Sequence, residues 1–122
     1  MLLLTSTSDL VRVITSAAAS IHVHASWVDN ASGTITPDRT NTAAITTATT
    51  TTVVASPGAS TQRNVRFLSV YNNGTADCDV TVIHSDGTNI ETLIKVPLRP
   101  GELLISTRLG RWIHYDFTGT RY

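Results

Sequence analysis

The stretch IHVHASW, positions 21–27, holds His22 and His24 two residues apart in a run of otherwise apolar or small side chains. On a β-strand alternate side chains share a face, so the two imidazoles stand side by side. Neutral imidazoles placed in this way begin many metal sites, which need at least one further ligand with a free lone pair. Asp29, His84 and His114 are the remaining candidates, each from another place on a sheet. The competing reading is an ordinary strand face, turned to solvent or to another subunit, on which His22 and His24 make hydrogen bonds. The residues favour that second reading, and no metal or other cofactor is expected.

Other chemistry finds less to build on. The cupins place a His-x-His pair in a β-sandwich, but with a following Glu and flanking glycines that this chain lacks, so a cupin-like metalloenzyme is not the favoured reading. The only glutamates are Glu91 and Glu102, one early on a strand and one in a turn, and no Gly-x-Ser-x-Gly elbow exists. The run HSDG gathers His84, Ser85 and Asp86, but neighbours at a hairpin end cannot take up triad geometry. Cys78, the only cysteine, sits between Asp77 and Asp79 with nothing beside it to activate a thiol; it reads as a buried apolar residue. No Gly-rich loop leads into a helix to bind phosphate. Trp27 and Trp112 read as core or interface anchors. His22, His24, Arg111, Trp112 and Tyr115 are the interface candidates, and the chain is expected not to be an enzyme.

Composition bounds the partners. Nine cationic and nine anionic side chains balance among 122 residues. No basic excess exists to hold nucleic acid. Near-zero net charge weakens solubility as a free monomer and favours an assembled state. Eight of the nine cations are Arg and only Lys95 is Lys, a bias that suits contact surface over freely solvated surface. The opening MLLLTSTSDLVRV lacks the basic and long apolar regions of a signal peptide, and no apolar run approaches the ~20 residues that span a bilayer. No membrane association is expected.

The elements that must carry these residues are strands. Ser and Thr supply 32 residues, Thr suits a pleated half-exposed surface, and no long helical pattern occurs. LVRVIT (10–15) alternates, with Val11 and Val13 on one face. In 20–29 the face opposite the histidines holds Ile21, Val23, Ala25 and Trp27, which should build the core. NASG (30–33) and Pro37-Asp38 read as turns. The low-complexity run 42–55 reads as a strand, or two short strands with a bend, or else a flexible arm. From Asn64 onward five strands follow, separated by turn-forming pairs. NVRFLSVYN puts Val65, Phe67, Ser69 and Tyr71 on one face. Asn73-Gly74 and Asp86-Gly87 supply positive φ, and Arg99-Pro100-Gly101-Glu102 a type II turn. The spacing predicts one all-β domain over 1–122, an antiparallel β-sandwich of jelly-roll-like type. It would have about eight or nine short strands, with possible arms at 1–9 and 42–60.

The motifs RNV, then VTVIHSDGT, then L-x-PGE-x-L and the closing GRWIHYDFTG resemble those of small structural proteins of tailed-bacteriophage virions. The opening LLLTSTSDLVRVITSAAASIHVHASWVD is similar to the same group, so the resemblance covers nearly the whole chain. It implies a virion protein of β-sandwich type, made in the host cytoplasm and without catalytic residues. The expectation is a capsid decoration or cement protein. It would bind the assembled head as a symmetric homo-oligomer, most often a trimer, with the major capsid protein or another virion protein as partner. The alternatives are a head–tail connector, collar or tail component, and a receptor- or glycan-binding module on the virion.

Overall fold

The computed structural model describes residues 1–122 and contains ten strands and no helix. They are β1 (Leu2–Leu4), β2 (Leu10–Thr15), β3 (Ile21–Ala31), β4 (Thr34–Ile45), β5 (Thr50–Val54), β6 (Thr61–Asn72), β7 (Cys78–Ser85), β8 (Ile90–Leu98), β9 (Leu103–Ser106) and β10 (Trp112–Tyr115). Two antiparallel sheets pack as a sandwich. The larger, sheet A, runs β10-β9-β6-β3-β4, with β1 also on β6; sheet B runs β5-β2-β7-β8. β1 and β9 share the same long edge of β6 end to end, at Arg63–Val65 and Leu68–Tyr71 respectively.

Alternation drives the layering. Val11, Val13 and Thr15 of β2 are buried, as are Ile21, Val23, Ala25 and Trp27 of β3 and Val80 and Val82 of β7. With Leu4, Leu68, Val70, Leu98 and Leu104 they form one continuous core between the sheets. Each large aliphatic side chain so buried stabilises the fold by roughly 1.5–3 kcal/mol before entropy is counted. Cys78 lies in this core.

The strand count exceeds eight or nine for two reasons. Leu2–Leu4 forms a short strand with Leu4 fully buried, so this part of 1–9 lies in the sandwich. The segment 42–60 also lies within it: β4 ends at Ile45, residues 46–49 bend, and β5 pairs with β2 in the other sheet. Pro37-Asp38 is no turn. Pro37 sits inside β4 opposite Val28, and β4 is the edge strand of sheet A. The two-residue turn at Ser32 and Gly33 makes Ala31–Thr34 a hydrogen-bonded pair, and alternation then turns the Pro37 nitrogen outward, where its missing N–H breaks no ladder bond.

Two further turns differ from each other. Gly101 has φ +84° and Glu102 N–H donates to Arg99 O at 3.0 Å, the type II turn expected. Neither Asn73 nor Gly74 takes positive φ. There the chain crosses between sheets, and the buried Asn72 holds it: its Nδ2 donates to Ala76 O and Leu98 O, and its Oδ1 accepts from Gly74 N–H. Gly74 is needed for space, since a Cβ there would lie 2.8 Å from Ser20 N.

β6 carries the main departure from simple alternation. Ser26 pairs with Phe67 but Trp27 pairs with Val65, so Arg66 is an extra residue, a β-bulge. Val65 therefore faces the core while Phe67, Ser69 and Tyr71 face out, separating residues that alternation alone would put together.

Candidate functional site

Because Ile21, Val23, Ala25 and Trp27 fill the core, His22 and His24 stand on the outer face of sheet A. His24 Nδ1 donates to Asn41 Oδ1 at 2.6 Å, and His22 Nε2 lies 3.2 Å from Ser20 Oγ. With Asn41, Thr42, Ser69 and Tyr71 they line a shallow hollow of about 360 Å³. No third metal-binding side chain joins them, and no group of three His, Cys, Asp or Glu gathers anywhere in the molecule. Asp29 is taken by Arg63, which grips it with two hydrogen bonds of 2.9 and 3.0 Å and stacks 4.6 Å from the Trp27 ring. His84 lies in sheet B, opposite Val11. His114 bonds Glu102.

Cross-strand pairing extends the outer face in rows. Asn41, His24, Ser69, Ile105 and Ile113 form one row, and His22, Tyr71, Leu103 and Tyr115 the next. Arg39, Ser26 and Phe67 form a third, and Pro37, Val28, Asn64 and Leu3 a fourth. Leu3 is 52 % exposed and Ile35, beside Pro37 on the same face, 59 %. His22, His24 and Tyr115 thus share one surface. Trp112 does not: it points to the other side of sheet A and packs against the core. Arg111 is exposed in the turn before β10. No family, curated protein or solved structure matches this chain in comparisons of sequence or fold.

Two buried carboxylates make a second pattern that the sequence did not reveal. Asp9 precedes β2 and Glu102 precedes β9, and each closes a tight turn. Asp9 accepts from Thr5 N–H at 2.6 Å and Ser6 Oγ at 2.9 Å, with His84 Nε2 4.0 Å away. Glu102 accepts from Arg99 N–H at 3.1 Å, from His114 Nε2 at 2.9 Å, and from the Tyr122 hydroxyl. Burial alone would raise both carboxyls; the hydrogen bonds outweigh it and hold each below its ordinary value. The same contact raises the Tyr122 hydroxyl above its own. The Tyr122 ring lies 4.2 Å from the His114 ring, so the Glu102 cluster pins residues 116–122 back onto β10. A carboxylate held by several donors at a tight turn in this way fastens structure, Asp9 the link from β1 to β2 and Glu102 the segment after β10.

HSDG likewise serves its turn. Asp86 Oδ1 accepts from Thr88 N–H and Asn89 N–H, and Ser85 Oγ from Gly87 N–H. The sole signal for the Glu102–His114 pair was a Glu in a turn facing a short aromatic return strand. That signal gives no partner without the register of β9 against β10.

Proposed function

We propose that this chain is a non-enzymatic virion structural protein of the capsid-decoration kind. It docks on the assembled head through the outer face of sheet A at β3, β4 and β6. One observation carries this reading: that face presents Leu3, Val28, Ile35, Pro37 and Phe67 together with His22 and His24, whereas its polar groups assemble no reactive constellation. A contiguous apolar surface rimmed by polar residues is how protein contact sites are built. The resemblance of VTVIHSDGT and L-x-PGE-x-L to phage virion proteins supports the same reading. Binding only the assembled lattice would stabilise it by mass action, and several linked copies would add avidity.

The test is direct. Mass spectrometry of purified virions should find the chain at fixed stoichiometry, reconstruction should place it on the head, and mass-resolved light scattering should give a symmetric oligomer such as a trimer. Absence from purified virions would sink the proposal. Density at the neck or tail would move the chain to the connector, collar or tail class.

A further inference from the structure

We infer that the β9–β10 end of sheet A holds a binding site for a neutral carbohydrate chain, adjoining the docking surface on β3, β4 and β6 and meeting it at Tyr71. Tyr71 and Tyr115 stand on either side of Leu103 in one cross-strand row. Two strand intervals separate them, about 10 Å, with Leu103 as the apolar floor between the two aromatic side chains. Phe117 closes the end of this row. It is 75 % exposed and held over Gly101, where a Cβ would come within 3.1 Å of the Phe117 Cβ. Together these residues line an open cleft of about 460 Å³.

The polar side of the cleft selects the ligand class. Asp116 Oδ1 accepts from Thr118 N–H, Thr118 Oγ1 and Thr120 N–H, so the carboxylate is fixed in place while its Oδ2 accepts no hydrogen bond. Asp116 is the only charged group lining the cleft. A lone carboxylate repels phosphates and other anions but accepts from sugar hydroxyls, while aromatic faces pack against the apolar faces of a pyranose. The cleft's shallow, open form suits a chain bound along its length over a single enclosed sugar.

The experiment is an NMR titration of the isotope-labelled full chain. The probes are soluble hexasaccharides of glucose, galactose, mannose and N-acetylglucosamine, with AMP as a planar anionic comparison. At least one hexasaccharide should shift the amides of Tyr71, Leu103, Tyr115 and Phe117 at millimolar concentration. Phe117→Ala should weaken that binding about tenfold. Asp116→Asn, which keeps the Oδ1 acceptor of the turn, should weaken it as well, and Ile35→Asp should leave it unchanged. Neither Phe117 nor Asp116 belongs to the core, and unchanged Thr118 and Thr120 amide shifts in the ligand-free Asp116→Asn variant show that its turn is intact. The site is overturned if no hexasaccharide shifts these amides, if AMP shifts them equally well, or if Phe117→Ala binds like the parent. Shifts at these amides that grow with protein concentration alone would identify a second copy as the occupant and overturn it too.

Discussion

The two outer faces of the sandwich are made from the same alternation and differ sharply in content. Across sheet B the rows read Thr52, Arg12, Ile83, Thr92 and Thr50, Ile14, Thr81, Lys95. Arg12 Nε donates to Thr52 Oγ1 there, and Ile83 is covered. Across sheet A the corresponding rows carry Phe67, Ile105, Ile113, Leu103 and four further rings, those of His22, His24, Tyr71 and Tyr115. A strand needs only its inward set apolar to join a core, so sheet B's composition is what folding requires. The extra apolar content of sheet A does nothing for the core. Sheet B exposes Ile14 and Ile90 singly, whereas the apolar residues on the outer face of sheet A adjoin one another, and a contiguous surface of that kind points to a partner for that face.

The arrangement depends on where β6 breaks its own period, and one-residue deletions expose this. Deleting Arg66 removes the extra residue but leaves Val65 inside and Phe67 outside, so the fold should survive with a loss of about 1 kcal/mol. Deleting Ser69 should do the opposite. Either Val70 and Asn72 turn outward, or the bulge is lost and Phe67 replaces Leu68 inside, a loss of about 2–3 kcal/mol from lost or mismatched core packing. Denaturant titration of the two deletions measures this, the largest effect expected. Equal stabilities would show that the bulge does not set the faces.

A smaller effect tests the contrast as function. On the proposed docking, Phe67→Asp with Ile35→Asp on sheet A should weaken binding to heads about 30-fold or more, because Ile35 is exposed and Phe67 half-buried on that outer face. Thr52→Asp with Thr81→Asp on sheet B should change it less than about twofold. Co-sedimentation with heads lacking the protein reads the difference. If the sheet B pair abolishes docking and the sheet A pair does not, the contact face has been assigned to the wrong sheet.

Much of this architecture can be read from residue order. Val11/Val13 and Ile21/Val23/Ala25/Trp27 announce their faces because nothing interrupts their alternation, and Pro100-Gly101 announces its turn by the φ it demands. The departures have no local mark. The bulge at Arg66 uses neither Gly nor any turn residue, so it shows only in pairing with β3. Pro37 looks like a turn until the register makes its nitrogen face outward on an edge. Asn73-Gly74 looks like a hairpin, but Asn72 and the close approach of Ser20 decide that connection. The outer face is hidden in the same way. His22 and Tyr115 lie 93 positions apart, and only the order β3-β6-β9-β10 puts them in one row.

The smallest effect concerns the two carboxylates, one entering each sheet. Both Asp9 and Glu102 are held below their ordinary values, so each adds stability above the unfolded value and loses it as pH falls through the folded one. For Glu102 the loss begins below the ordinary value of 4.5. Its partners lie on β10 and in 116–122, so acid should free that segment, and the aromatic cleft with it, before the sandwich unfolds. Asp9 ties the link between β1 and β2, and Ser56 Oγ donates to its carbonyl, so its protonation loosens the entry to sheet B instead. Glu102→Gln should cost on the order of 1 kcal/mol at neutral pH and flatten the acid dependence of amide exchange at His114, Tyr115 and Phe117. Asp9→Asn should leave the dependence at those residues intact. If Glu102→Gln retains the parent's acid dependence there, the charge on Glu102 is not what fastens 116–122, and Asp116, also held below its ordinary value by its hydrogen bonds from Thr118 and Thr120, carries the dependence instead.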